Sequence, residues 1–334
     1  MRLRNIFYIS ILFFFSSCFE EDERVTPHEP GEVETATIAQ KQDYSQTVFF
    51  DLGNGDGVLE TGKMAWDLAL ESQAGGWRIY LNTTRFMLAA RTAKTDFDSV
   101  TDTLETRWRF DKSDGNPDST AIGKWFDVQN GDTLSRSEVY IINLGYSSSG
   151  NPLGLRKLQL TDYDGESYTL VHARLDGSEY TENRVVKDPG MPLVFYSLRN
   201  KESIAGQWPS PGSWDLWFTQ YTTLLYTNAG DPYPYIVTGV LANIRDGVEV
   251  AKDTAFAFSE LDFDVALSLN FSREADMIGY DWKWYDFDAG SYTVLTKVNY
   301  VIKTTEGYFY KLRFIGFYNT QGEKGYPVIE YQRL

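Results

Sequence analysis

From about residue 44 onward, short runs of alternating apolar and polar residues are separated by turns rich in glycine, asparagine and aspartate. Residues 44–52 (YSQTVFFDL) read as a strand, 54–57 (NGDG) as a turn, and 64–70 (MAWDLAL) as a second, alternating strand. Residues 168–175 (YTLVHARL) form a clean strand ahead of Asp176-Gly177. Residues 292–303 form a longer one, and Glu306-Gly307 then turns the chain into 308–318, a hairpin. Short helices are expected only at 86–93 and 255–261. Strands joined by turns at such short spacing predict an all-β protein, an antiparallel sandwich or barrel-like architecture.

The pattern repeats. Trp66-Asp67-Leu68 recurs as Trp214-Asp215-Leu216, Val139-Tyr140-Ile141-Ile142 as Asn299-Tyr300-Val301-Ile302, and Lys157-Leu158-Gln159-Leu160 as Lys311-Leu312-Arg313-Phe314. Three landmarks in one order, each displaced by about 150 residues, indicate an internal duplication. Residues 199–203 are polar, and 207–213 (QWPSPGS) carry two prolines and a glycine, so the boundary falls between 199 and 212. The expected units are 44–204, a diverged first copy, and 205–334.

The start of the chain follows another logic. Arg2 and Arg4 precede an apolar run, 6–15, that is too short to span a bilayer, and Ser16, Ser17 and Cys18 follow. A small-small-Cys junction is the pattern of a bacterial lipoprotein signal over 1–18, with Cys18 as the lipid attachment site; Phe15 stands where leucine is usual. Residues 19–43 read as an acidic flexible tether, and the run Glu20-Glu21-Asp22-Glu23 resembles the surface-export signal of Bacteroidetes lipoproteins. The expectation is a lipid-anchored protein of the outer membrane, exposed at the cell surface.

Composition narrows the function. The 334 residues carry a net charge of −16, with no basic stripe that could hold nucleic acid. With one cysteine there is no intrachain disulfide, and with two histidines, His28 in the tether and His172, no site that needs several imidazoles. There is no GxSxG elbow, no HExxH and no glycine-rich phosphate loop before a helix, so no enzyme is indicated. Asp51, Asn54, Asp56 and Glu60 partly resemble a calcium loop, but glycines stand at two ligand positions and a hairpin turn is the favoured reading. His172 lies mid-strand on a face shared with Tyr168, Leu170 and Arg174, which reads as a surface histidine or as the lining of a cleft. Met87 and Met191 are soft donors that could serve a haem iron or fill the core. Alternation places Tyr280, Trp282 and Trp284 on one face, either a flat platform for haem or sugar or a tryptophan-rich sheet core.

Residues 279–285 (GYDWKWY), 292–304, 308–314 (YFYKLRF) and 325–331 (GYPVIEY) together resemble the HmuY-like haem-binding lipoproteins of Bacteroidetes, as do the strands at Trp66 and Trp214. The likeness is strongest over 205–334. It implies an all-β protein that captures haem and passes it to a TonB-dependent outer-membrane receptor. The best-known members hold iron between two histidines and others use methionine. Two histidines are not available here outside the tether, which leaves a Met/His or Met/Met pair drawn from His172, Met87 and Met191, or apolar sandwiching without strong ligation. The alternative is a surface binding or assembly module of the same fold, with no haem site, that recognises a glycan, a peptide or a partner protein.

Overall fold

The computed structural model describes residues 29–104 and 106–334; the signal-like segment, Cys18 and His28 lie outside the described residues. Three strands open the chain: β1 (Glu34–Thr37), β2 (Gln46–Asp51) and β3 (Asp56–Gly62). Then come β4 (Leu68–Glu71), β5 (Ile79–Leu81), β6 (Leu88–Arg91), β7 (Phe126–Gln129), β8 (Asp132–Ser135), β9 (Val139–Asn143), β10 (Leu155–Tyr163), β11 (Ser167–Ala173), β12 (Thr181–Val186), β13 (Leu193–Ser197) and β14 (Glu202–Ile204). The rest are β15 (Leu216–Tyr226), β16 (Pro232–Ala242), β17 (Glu249–Asp253), β18 (Lys283–Asp286), β19 (Ser291–Val294), β20 (Asn299–Lys303), β21 (Phe309–Tyr318) and β22 (Lys324–Arg333). One short α-helix, α1 (Phe263–Ser268), interrupts them, and Asp262 caps it by accepting from the Val265 amide at 2.9 Å.

All strand pairings are antiparallel and the strands build two sandwiches; no sheet closes into a barrel. In the first sandwich the sheet β12-β11-β10-β9-β6 faces the sheet β14-β13-β4-β5 across a core that includes Leu70, Ile142, Leu158 and Leu170. In the second, β1-β22-β21-β20-β17 faces β16-β15-β2-β3 across Phe50, Phe218, Leu312 and Ile329. Strand β22 shows the expected period of two, buried and half-buried residues alternating along its length. Strands β2 and β4 depart from it, with both faces covered, because one face meets the sandwich core and the other meets the facing half of the molecule.

The two sandwiches correspond strand for strand. β9 answers to β20, β10 to β21, and the Trp-Asp-Leu strands β4 and β15 hold equivalent places. The completing hairpins are exchanged. In sequence, β2–β3 lead into β4 and β13–β14 lead into β15, and both hairpins carry a related motif, Val48-Phe49-Phe50 and Val194-Phe195-Tyr196. In space β2 pairs with β15, Phe50 opposite Leu216, while β13 pairs with β4, Tyr196 opposite Leu68. The start of the chain therefore finishes the second sandwich. Gly325 secures this arrangement: at φ 91° it accepts the Gln40 amide at 3.0 Å, and a Cβ there would lie 2.2 Å from the Lys41 carbonyl oxygen.

Neither expected helix forms as such. Over 86–93 no helical turn forms: a 3-10 turn, Thr83–Arg85, precedes the segment and is ended by the left-handed Phe86, after which β6 pairs with β9. In the second, only Phe258–Glu260 turns, and the α-helix begins later, at the Asp262 cap. At 51–54 the Asp51 carboxylate accepts the Gly53 amide at 2.7 Å and the Asn54 side-chain amide at 2.5 Å, which makes the loop a self-capped hairpin turn. Among the described residues no helix is long and apolar enough to cross a membrane, and no group of three acidic, histidine or cysteine side chains is placed to hold a metal ion.

Candidate functional site

The outer faces of β14-β13-β4-β5 and β16-β15-β2-β3 look at each other across a cleft of about 390 Å³. Alternation puts Ala69, Leu193 and Phe195 on one wall and Trp217, Tyr221 and Leu241 on the other. Trp66 and Trp214, the tryptophans of the two repeated motifs, both line it. So does Trp208, from the segment joining β14 to β15. Trp208 lies edge-on to Trp214 and Trp217, with ring centres 5.3 and 5.4 Å away, and stacks obliquely on Phe195 at 6.1 Å. Behind them Phe49 stacks on Trp217 at 5.2 Å with ring planes 4° apart. The crossing linkers and exchanged hairpins thus supply an aromatic wall that neither sandwich would have alone.

The polar end of the cleft is organised by Glu71. Its carboxylate accepts the Trp77 and Arg78 amides, both at 3.1 Å, and the Tyr80 hydroxyl at 3.0 Å. Arg245, from the second sandwich, reaches across with its guanidinium 3.7 Å from Glu71 and 5.2 Å from the centre of the Tyr80 ring. Burial pushes the Glu71 carboxyl up, but the amide donors, the Tyr80 hydroxyl and Arg245 outweigh it and hold it below the usual range. Asp111, also on the cleft, accepts the Leu81 and Ala121 amides at 2.6 Å each and is pushed up to about 7 by burial. Lys112 stands exposed at the mouth. Ser113, beside it, bonds Thr223 at 3.0 Å and Asp276 at 2.5 Å, tying this loop to the second sandwich.

The residues singled out from the sequence lie elsewhere. His172 is fully buried, its Nε2 2.9 Å from the Tyr196 hydroxyl, which in turn donates to Asn183 at 2.7 Å. The reading of a surface histidine is corrected: Tyr168, Leu170 and His172 turn inward, because β11 lies second from the edge of its sheet and this face meets the first core. Burial, with Arg156 and Lys201 nearby, pushes the imidazole down to about 4. Met87 is buried with its sulfur 2.9 Å from Arg85 Nη2, and Met191 is half-buried in a turn closed by its amide on the Asp188 carbonyl at 3.0 Å. None of the three lines the cleft.

Tyr280, Trp282 and Trp284 do not share a face either. The strand begins only at Lys283, so alternation does not run back through 280–282. Trp282 is buried, stacked on Phe314 at 3.8 Å, whereas Trp284 is 48 % exposed and Tyr280 half-buried. The cleft residues Trp208, Trp217, Tyr80, Glu71 and Arg245 were missed. One signal pointed to them: a tryptophan inside a proline-glycine linker has nothing local to pack on, and so needs a distant partner.

The cleft of this all-β double sandwich thus joins a wall of aromatic rings to charged groups, Glu71, Asp111, Lys112 and Arg245. Residues 191–331 match the model of the HmuY protein family, so the chain is HmuY-like over that segment, which begins just ahead of β13. Among solved structures the chain is similar to apo PinO from Porphyromonas gingivitis (9 % identity, 91 % of this chain and 97 % of that one, TM-score 0.30). It is also similar to an apo HmuY analog from Tannerella forsythia (11 %, 92 % and 98 %, TM-score 0.25). A third likeness is to a protein from Bacteroides vulgatus described as HmuY-like and haem-binding (17 %, 41 % and 82 %, TM-score 0.18). No curated protein matches the chain.

Proposed function

We propose that this is a cell-envelope lipoprotein, anchored through Cys18 in the outer membrane and facing the outside, that binds haem or a related porphyrin in the cleft between its two sandwiches and hands it to a TonB-dependent receptor. The observation that carries the reading is the cleft itself: four tryptophans and Phe195 around a slot, with Arg245 and Lys112 at its mouth. A porphyrin is a flat apolar ring bearing carboxylates, and this is the chemistry such a slot would complement. The HmuY match over 191–331 supports the same reading. The cleft offers no histidine, methionine or cysteine, so ring stacking and pairing of the carboxylates would do the holding. The protein acts as a carrier and not as an enzyme.

Haem titration into the protein freed of its first 18 residues tests this. A saturable Soret shift near 1:1 is expected, with affinity reduced about tenfold or more by Trp217→Ala. No shift, or a shift untouched by Trp217→Ala and Trp208→Ala, overturns the assignment to this cleft. A second reading, a surface module without haem, draws on the β18–β19 hairpin, where Trp284, Tyr285 and Phe287 stand 48, 39 and 88 % exposed. Aromatic faces of that kind fit a glycan or a partner protein. Binding of either, weakened by Phe287→Ala in a protein that ignores haem, would favour it.

A further inference from the structure

The iron of a haem is gripped by a donor atom above or below the ring, and the protein groups that serve are imidazole, thioether, thiolate and phenolate. The cleft walls carry only phenols of that set, Tyr80 and Tyr221. The Tyr80 hydroxyl is committed to Glu71 at 3.0 Å, and its ring lies against the Arg245 guanidinium. Burial pushes Tyr80 up to about 12 and Tyr221 well above the ordinary range for a phenol, so the site opposes the phenolate form in both. What the cleft does supply is ring area and the cations Arg78, Lys112 and Arg245, beside the Glu71 and Asp111 carboxylates. Among the described residues Arg245 has a single ionic partner, Glu71 at 3.7 Å, and Lys112 stands in solvent on the opposite sandwich. Two cations on facing sides of an aromatic slot match a planar ligand whose carboxylates lie at its rim.

Resting on the tetrapyrrole reading above, we propose that the cleft recognises the ring and its carboxylates and is indifferent to the metal at the centre, so that metal-free protoporphyrin is as good a ligand as haem. The oxidation state of the iron then has no effect on affinity. A carrier of this kind takes up the tetrapyrrole whether or not iron is still in it, unlike one whose grip is an axial bond.

Quenching of the cleft tryptophans reads the binding directly. The protein without its first 18 residues, which keeps every described residue, is titrated with haem, zinc protoporphyrin, metal-free protoporphyrin and protoporphyrin dimethyl ester. The first three are expected within about threefold of one another and the diester at least about tenfold weaker. Arg245→Gln is expected to weaken the diacids about tenfold and to leave the diester unchanged, while Tyr80→Phe changes haem and metal-free protoporphyrin affinity by the same factor and leaves the haem spectrum as it was. Haem binding more than about thirtyfold tighter than the metal-free ring, with the gap closed by Tyr80→Phe, would overturn metal indifference and keep the tetrapyrrole site. Binding of none of the four would overturn the tetrapyrrole reading and this inference with it.

Discussion

Trp66-Asp67-Leu68 and Trp214-Asp215-Leu216 occupy the same place in the two sandwiches and are wired alike up to one point. The Asp67 amide donates to the Tyr196 carbonyl and the Asp215 amide to the Phe50 carbonyl, both at 2.9 Å. Asn82 and Asn243 each return an amide to the aspartate carbonyl, at 3.0 and 2.8 Å, and each side chain caps the tryptophan carbonyl at 2.9 Å. The carboxylates differ. Asp67 is gripped by Arg85 and by Arg199, whose Nε lies 3.1 Å away, whereas Asp215 has only the Leu52 amide at 2.9 Å. Three residues after Asn82 stands Arg85; three after Asn243 stands Asp246. For Asp67, burial raises the pKa and the guanidiniums outweigh it; for Asp215 burial wins and carries the carboxyl to about 7. What the two nodes share is their backbone role, and the charge on the side chain is free to vary around it.

The hairpin exchange yields the sharpest test of the likeness between the halves. Starting the chain at residue 63 removes β1, β2 and β3, so the second sandwich loses strands from both of its sheets and the first loses none. Hydrogen exchange is expected to show β15, β20 and β21 unprotected and β9, β10 and β11 still slow. Protection retained in β15 would mean that β13–β14 can swing back to complete the sheet they precede in sequence. A smaller but still large effect is expected from Arg85→Leu. It leaves a fully buried carboxylate with a single guanidinium and costs about 3–5 kcal/mol in denaturant unfolding.

Asp215→Asn should act in the opposite sense, because it removes a charge that has no cationic partner among the described residues. The folded pKa of Asp215 lies above its unfolded value, so the folded state holds the proton more tightly. The stability this contributes is complete below about pH 4 and is lost as pH rises toward 7. Asparagine keeps an acceptor for the Leu52 amide and carries no charge. The variant should match the parent at pH 4 and exceed it by about 1–3 kcal/mol at pH 8. An equal effect at both pH values would show that Asp215 titrates normally.

The strands, turns and duplication were legible because each is a local pattern. Alternation marks a strand whatever it packs against, and the Trp-Asp-Leu, Lys157 and Lys311 landmarks recur in order. The parallel extends to side chains: Lys157 donates to the Phe97 carbonyl and Lys311 to the Leu261 carbonyl, both at 2.9 Å. The exchange was not legible, because β2 fits β4 and β15 about equally well by pattern, and only tertiary packing chooses between them. The cleft depends on that choice, since Trp66, Phe195, Trp208 and Trp217 meet only once the hairpins cross. His172 misled because a mid-strand histidine between apolar neighbours reads the same whether its face is covered or open.

His172 also closes the comparison between the halves. It lies opposite Leu158 on β10, and in the second sandwich the residue opposite Leu312 on β21 is Tyr331. Each packs edge-on against the aromatic ring of the exchanged hairpin: His172 on Tyr196 at 5.6 Å, Tyr331 on Phe50 at 6.0 Å. The position therefore calls for a ring, and imidazole adds a titration below neutral pH, where the tyrosine hydroxyl stays protonated. With its folded pKa pushed down to about 4, His172 stabilises the neutral-pH fold, and that contribution fades as pH falls from about 6.5 toward 4. His172→Phe keeps a ring there and leaves the Tyr196 hydroxyl its bond to Asn183. It is expected to cost about 1 kcal/mol or less at pH 7.5 and to gain on the parent at pH 4.5, so that the two unfolding curves cross between these values. A variant that stays less stable by the same margin at both would place the imidazole's protonation outside the folding equilibrium and leave its hydrogen bond as its whole contribution.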